Sequence, residues 1–301
     1  MRSPLNKRLF RELRGEFGKY LVIFILMTLT IGMVSGFLVA DGSMIQAYEE
    51  SFEKYSIENG HFRTEKKMNN AQIQDIEDLG IKLYENYYVE EALTNGSTMR
   101  IFKNRDEVNK VCLMKGKMPE KPGEIGIDRM YADNNDLSVG DEIESGGHTW
   151  KITGLVALSD YSALFSNNND SMFDSVKFGV SVVCPEEFDS YKADQLNYSY
   201  AWKYNTEPKN EKAEKDISED LMEDVAKEVT LEEFVPRYTN KAIIFTGDDM
   251  GGDRSMMIVL LYIIIVIMAF VFAITTNNTI RKEANVIGTL RASGYTRGEL
   301  I

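Results

Sequence analysis

The sequence predicts a membrane protein of mixed α + α/β class, in which two transmembrane helices flank an α+β extracytoplasmic domain built in two lobes. Three observations carry that prediction. Tyr20–Ala40 and Met256–Thr276 are each 21 residues without a charge. A helix of that length rises about 31 Å, the hydrocarbon thickness of a bilayer. The 215 residues between them, 41–255, are ordinary polar sequence, enough for a folded domain with its own core. The flanks are basic, net +4 over residues 1–19 and +2 over 277–301, which leaves −19 for the middle of a chain whose total is −13. Short flanks rich in Lys and Arg stay in the cytoplasm, whereas a long domain crosses largely regardless of its charge. Both termini are therefore expected in the cytoplasm and residues 41–255 outside it.

The elements follow in chain order. Ser3-Pro4 reads as a helix N-cap with proline at the first helical position. Leu5, Leu9, Leu13 and Phe17 then recur every four residues among Lys7, Arg8, Arg11 and Arg14, so residues 1–19 read as a basic amphipathic helix at the inner membrane surface. A positive flank that only sets topology is the compatible alternative. Residues 20–40 are longer than a signal-peptide core, and Leu38 stands where a cleavage site wants a small residue, so this segment reads as an uncleaved span. Gly32, Ser35 and Gly36 within it, and Ala269 and Ala273 in the span at 256–276, are small residues spaced to let another helix backbone approach.

From Asp41 the first span is expected to run on as a helical stalk to about Tyr55. HFRTE then reads as a strand and NNAQIQDIEDLG as a helix closed by Gly80; IKLYENYYVEEAL and STMRIFK read as strands. In Lys115–Ile143, KGKMPEKPGEIGIDRMYADNNDLSVGDEI, proline and glycine turns frame short strands, and Gly140-Asp141 makes a tight turn. ESGGHTWKITGLVAL forms a hairpin through Gly146-Gly147, Tyr161–Ser171 is a Ser/Asn-rich loop, and SVKFGVSVVC returns as a strand. Residues 209–228 are a charged helix with Ile217, Leu221 and Val225 on one face, and KAIIF is expected as a last strand before the span at 256–276.

Catalytic and metal-binding constellations are not legible. Cys112 and Cys184 are too few and too far apart for a zinc site; they read as separate thiols, with a disulfide as the alternative. His61 and His148 lack ligand-spaced neighbours and read as solvated or locally bonded. Asp248, Asp249 and Asp253 around Gly251-Gly252 read as an acidic turn at the domain exit in preference to a cation site. Gly18-Lys19 lacks the spacing and the Ser or Thr of a phosphate-binding loop. No catalytic residue, metal ligand or bound cofactor is assigned, and the chain is not expected to be an enzyme. The acidic middle argues against nucleic acid as a partner.

The most informative segment follows residues 256–276. Thr279 is a plausible N-cap for a helix through Ala292, with Gly294 as its stop. Ile280, Ala284, Ile287 and Arg291 share one face, with Leu290 beside it. Thr296 to Glu299 is a capping-box pattern that opens a new helix, yet only Leu300 and Ile301 follow. The expectation is that this is the N-terminal part of a longer polypeptide; a genuine end with fraying residues is the alternative.

On these residues the sequence resembles the N-terminal portion of a MacB/FtsX-type ABC transporter permease. RKEANVIGTLRASG at 281–294 is similar to the family's segment after its second span, with Glu283, Ile287-Gly288, Leu290-Arg291-Ala292 and Gly294 in order. Asn285 replaces the usual isoleucine two residues before the Ile-Gly pair. GKMPEKPGEI and LSVGDEI resemble the family's periplasmic core domain. The resemblance implies a multi-pass protein of the bacterial plasma membrane, paired with a second permease copy or homologue, and a coupling helix that docks on a separate ABC ATP-binding subunit. ATP and magnesium would belong to that subunit, whose dimerisation would move the outer domains for export, extraction or mechanotransmission. The implied docking residues are Glu283, Ile287, Leu290, Arg291 and Gly294. The competing reading of this helix is contact with anionic lipid through Arg281, Lys282 and Arg291. A two-span receptor with an outer ligand-binding domain is the functional alternative; a membrane-anchored surface enzyme would need a catalytic constellation that the sequence does not display.

Overall fold

The computed structural model describes residues 14–145, 147–296 and 298. Most of the expected helix over 1–19, Gly146 of the expected hairpin turn, and Arg297 and Glu299 of the expected capping box lie outside the described residues. Two compact units emerge, Met1–Met44 with Met250–Ile301, and Ile45–Asp249. Helices α1 (Phe17–Lys54) and α6 (Lys241–Lys282) contribute to both.

In the first unit, α1 and α6 are each long and apolar enough to cross a membrane. Their apolar side chains are not the core of a soluble fold, since only 6% of the most apolar window of either helix is buried. Phe24, Leu29, Ile31, Met33, Val259, Tyr262 and Phe270 all stand exposed, a surface that water would penalise and that lipid or a packed helix would cover. The covered positions of α1 recur as Ile23, Met27, Thr30, Val34 and Phe37, and those of α6 as Met257, Leu261, Ile264, Met268, Val271 and Thr275. These alternating three- and four-residue steps are the signature of a helix lined along one stripe. Lys19 Nζ donates to Thr279 Oγ1 at 3.2 Å, tying the two helices at one end of their stripes.

The second unit contains two sheets. The smaller has strand order β11-β1-β10-β2, with β1 at Gly60–Thr64, β2 at Ile81–Glu85, β10 at Tyr198–Tyr204 and β11 at Leu231–Pro236, all antiparallel. Side chains alternate across a strand. Phe62 therefore stands opposite Tyr200 and Phe234, and with Trp202 makes a ring stack on the face covered by α2 (Asn70–Glu77) and α5 (Glu211–Glu228). The same alternation sends His61, Arg63, Ser199 and Glu233 to the opposite face. Helix α2 opens on a reciprocal capping box between Asn69 and Gln72.

The larger sheet has seven strands in the order β3-β4-β9-β6-β8-β5, with β7 paired to β8. These are β3 Tyr88–Ala92, β4 Thr98–Lys103, β5 Val111–Gly116, β6 Glu124–Asp128, β7 Glu142–Ser145, β8 His148–Leu158 and β9 Phe178–Val183. The β4–β9 and β6–β8 pairs are parallel and the others antiparallel. Strand β9 is buried along its whole length, as a continuous apolar run in mid-sheet should be. Two short helices, α3 (Arg129–Asn134) and α4 (Pro185–Phe188), complete the larger lobe. A shared hydrophobic core joins the two sheets.

Several elements depart from the sequence expectation. IKLYENYYVEEAL is two strands in different sheets, because the chain leaves the β10 edge at Asn86-Tyr87 and re-enters beside β4. KAIIF is the first turn of α6 and not a strand: Asn240 Oδ1 accepts the Ala242 N–H at 3.1 Å, and the helix continues unbroken into the apolar run. Asp248, Asp249 and Asp253 accordingly lie on that helix and not in a turn. On α5 the buried residues are Ser218, Leu221 and Val225, while Ile217 is exposed. Both cysteines are free.

Candidate functional site

The sequence places its predicted contact residues in the first unit. Thr279 does not cap a new helix; α6 continues through it to Lys282, and Thr279 Oγ1 back-bonds to the Thr275 carbonyl at 3.0 Å. The break falls at Glu283, after which α7 runs Ala284–Ala292. It ends as the sequence suggests. Gly294 adopts φ +97°, its N–H reaches the Arg291 carbonyl at 3.1 Å, and the Tyr295 N–H reaches the Leu290 carbonyl at 3.2 Å. That pair of bonds is a Schellman stop, which needs a left-handed residue at the glycine position. Ile287 and Leu290 fall on one half-buried face of α7, Glu283 is the half-buried residue just before its first turn, and Arg291 is exposed. Gly32, Ser35, Gly36, Ala269 and Ala273 are all exposed and lie off the stripes that α1 and α6 cover. A Cβ added at Gly32 or Gly36 would meet nothing within 4 Å.

The second unit holds a feature that sequence reasoning missed, a polar cleft of about 550 Å³ between the two sheets. One wall is the helix-free face of the smaller sheet, with His61, Arg63, Ser199 and Glu233; the other is Tyr88, Glu90, Thr98, Arg100 and Phe102 from β3 and β4. Its base is a network of buried charges. His61 Nδ1 lies 2.6 Å from Glu58 Oε1, and the second oxygen of Glu58 accepts from Asn109 Nδ2 at 2.6 Å. Arg105 grips Asp160 with two parallel bonds of 2.8 and 2.6 Å and donates to Asn86 Oδ1 at 2.9 Å. Burial pulls the His61 pKa down, but the adjacent Glu58 carboxylate outweighs it and leaves the imidazole above its ordinary value. Burial pushes Glu58 up, yet His61, Asn109 and Arg105 hold it below the usual carboxylate range.

Arg100 closes one side of the cleft. Its guanidinium stacks on Tyr88 and Phe178 and donates to Glu90, to the Tyr161 hydroxyl at 2.8 Å and to the Ser166 carbonyl at 2.8 Å. Tyr161 and Ser166 belong to the Ser/Asn-rich segment between β8 and β9, which also grips the first turn of α6. Ser162 Oγ bonds the Ala242 and Ile243 carbonyls at 2.9 and 2.8 Å, and Asn168 Oδ1 accepts the Lys241 N–H at 2.9 Å. Lys241 Nζ donates to the Asp170 carbonyl at 2.7 Å. Phe165, Phe173 and Phe245 close the joint as three edge-to-face rings 5.4 to 5.8 Å apart. Tyr48, from the end of α1, bonds the Ile243 carbonyl at 3.1 Å and lies over Gly247, where a Cβ would come within 2.6 Å of the ring. The cleft wall, the last turns of α1 and the first turns of α6 are thus stitched into one assembly.

No protein-family model matches the sequence, and comparison with curated proteins gives no match. Solved structures do resemble it. The periplasmic region of MacB from Actinobacillus actinomycetemcomitans aligns over 56% of this chain and 85% of its own, at 11% identity and a TM-score of 0.31. The extracellular domain of the noncanonic ABC-type transporter YknZ from Gram-positive bacteria covers 58% of this chain and 98% of its own, at 11% identity and a TM-score of 0.30. A putative lipoprotein from Bacillus anthracis covers 58% and 96%, at 12% identity and a TM-score of 0.30.

Proposed function

We propose that this chain is a permease component of an ABC transporter of the MacB/FtsX type, seated in the bacterial plasma membrane with residues 41–255 outside. The observation that carries the reading is the sequence of elements: an apolar helix, a folded α/β unit, a second apolar helix, and directly after it a short amphipathic helix with a Schellman stop. The basic flanks and the similarity of residues 281–294 to the family's coupling segment support it. In this reading α7 docks on a separate ATP-binding subunit. Ile287 and Leu290 enter an apolar groove, Glu283 and Arg291 meet the polar rim, and Gly294 ends the helix. ATP and magnesium are held by that subunit, and a second permease copy or homologue completes the pair.

Motion of the partner would reach the outer unit through α6, whose first turn the β8–β9 segment holds. The test is the Ile287→Asp/Leu290→Asp double variant, co-expressed with an ATP-binding subunit that the parent chain co-purifies. Co-purification should be lost and permease-stimulated ATP hydrolysis should fall to the basal rate, with membrane insertion unchanged. Unaltered coupling would refute the docking assignment. The cleft favours a second reading, a two-span sensor, which predicts no effect of this chain on any ATPase.

A further inference from the structure

Four asparagines around the cleft share one arrangement. Asn86, Asn167, Asn168 and Asn240 each spend the side-chain oxygen on an N–H donor: Arg105 at 2.9 Å, the Asn169 backbone at 2.8 Å, the Lys241 backbone at 2.9 Å and the Ala242 backbone at 3.1 Å. Because each of those partners can only donate, the accepting atom is oxygen and the NH2 group is the one left over. None of the four NH2 groups has a partner among the described residues, and none is sealed from solvent. Asn86 and Asn240 are only 6% and 5% exposed, and both line the cleft. Reached by solvent at the cleft, these donors are free to exchange water for the acceptor of a bound ligand.

The remaining chemistry narrows what that is. The oxygens of Glu58 and Asp160 are already engaged by His61, Asn109 and Arg105. Glu90 and Asp174 each keep one oxygen without a partner among the described residues, and Tyr88, Thr98 and Ser199 add hydroxyls to the wall. The cleft therefore offers amide donors, a few acceptors, several hydroxyls and the cationic Lys177, while Arg63 is balanced by Glu232 and Glu233 and Arg100 by Glu90. The surrounding segment 41–255 carries net −19, which disfavours a free anion. A molecule dense in hydroxyl groups meets all of this, since each hydroxyl accepts from an amide and donates to a carboxylate. The volume of about 550 Å³ lies within the range of small-molecule sites.

We propose that the cleft binds a neutral polyhydroxylated ligand, a mono- or disaccharide, and that occupancy is felt at the first turn of α6. The second clause follows from the β8–β9 segment, which presents Asn167 and Asn168 to the cleft and holds Lys241, Ala242 and Ile243 through Ser162, Asn168 and Asp170. The proposal does not depend on the ABC reading.

The test uses the full chain in lipid nanodiscs, titrated with glucose, galactose, N-acetylglucosamine, maltose and cellobiose, and read by saturation-transfer NMR and calorimetry. At least one sugar should bind saturably and slow amide exchange in residues 160–175 and 241–246. Asn168→Asp and Asn240→Asp keep the accepting oxygen but lose the NH2 group. Each should weaken binding about tenfold or more, with the melting temperature held at the half-buried position 168 and lowered at the buried position 240. The proposal is overturned if no sugar in the panel saturates, if both variants bind as the parent does, or if citrate or glutamate displaces the sugar at equal concentration.

Discussion

Replacing Asp160 by Ala should be the most damaging single polar change in the α/β unit. Arg105 and Asp160 are only 7% and 6% exposed, and two bonds of 2.6 and 2.8 Å hold them together. Removing the carboxylate leaves a guanidinium that stacks on Phe102 and whose remaining hydrogen-bond acceptor among the described residues is the neutral Asn86 Oδ1, in a place water barely reaches. Breaking one side of a buried pair costs about 3–5 kcal/mol. For a unit of roughly two hundred residues each kcal/mol moves the melting temperature by about 2–4 °C, so the expected drop is about 6–20 °C. Arg105→Met combined with Asp160→Leu should recover most of the loss, because an apolar pair of similar volume carries no stranded charge. Thermal unfolding of the full chain in detergent, followed by circular dichroism, measures all of these. A loss below about 1 kcal/mol for Asp160→Ala, or a double variant no better than the single one, would show that the pair is solvated and the reasoning wrong.

Two further outcomes follow from the same unit. His61 is held above its ordinary pKa by Glu58, so its contribution to stability is fully present below pH 6.5 and is lost as pH rises through the elevated folded value. Melting temperature should therefore decline on the alkaline side of neutrality, and His61→Gln should flatten that decline. The depressed Glu58 value acts oppositely, protecting above about pH 4.5 and failing as pH falls through its folded pKa. Gly247→Val should cost about 1–3 kcal/mol, because the first added carbon lands 2.6 Å from the Tyr48 ring. Tyr48→Ala in the same chain should relieve part of that cost, and amide exchange at residues 45–54 and 241–249 reads both. Equal exchange rates in Gly247→Val and the parent would refute the contact.

Some of this protein is written locally and can be read from the chain alone. A run of 21 uncharged residues admits few fates, so both apolar helices are legible, and so is the stop at Gly294, where the left-handed geometry needs glycine. The capping box at Asn69 and the loop character of Tyr161–Ser171 are local in the same sense. The strand at 198–204 is local too, since Tyr, Ser, Tyr, Ala, Trp, Lys and Tyr alternate between Asn197 and the Asn205–Pro208 turn. Leu231–Pro236, by contrast, is hard to read because Glu232 and Glu233 break its alternation. KAIIF misleads for the converse reason: Ile243, Ile244 and Phe245 fit a strand until Asn240 and the following apolar run commit them to helix.

The cleft was not legible at all. Its members come from residues 58 to 242, and each looks ordinary in sequence: a histidine without ligand spacing, scattered carboxylates, asparagines in a polar loop. Periodicity reports which face of an element is apolar, but not which polar faces confront each other across a gap. Sequence alone determined that the chain carries two long apolar helices around a folded polar domain, because hydrophobic length is a property of neighbouring residues. Only the tertiary structure decided that Asn109 joins the local Glu58–His61 pair, that Arg105 meets Asp160, and that one loop serves both the cleft and the start of α6. Those pairings depend on strand order between two sheets, a long-range choice that no local window records.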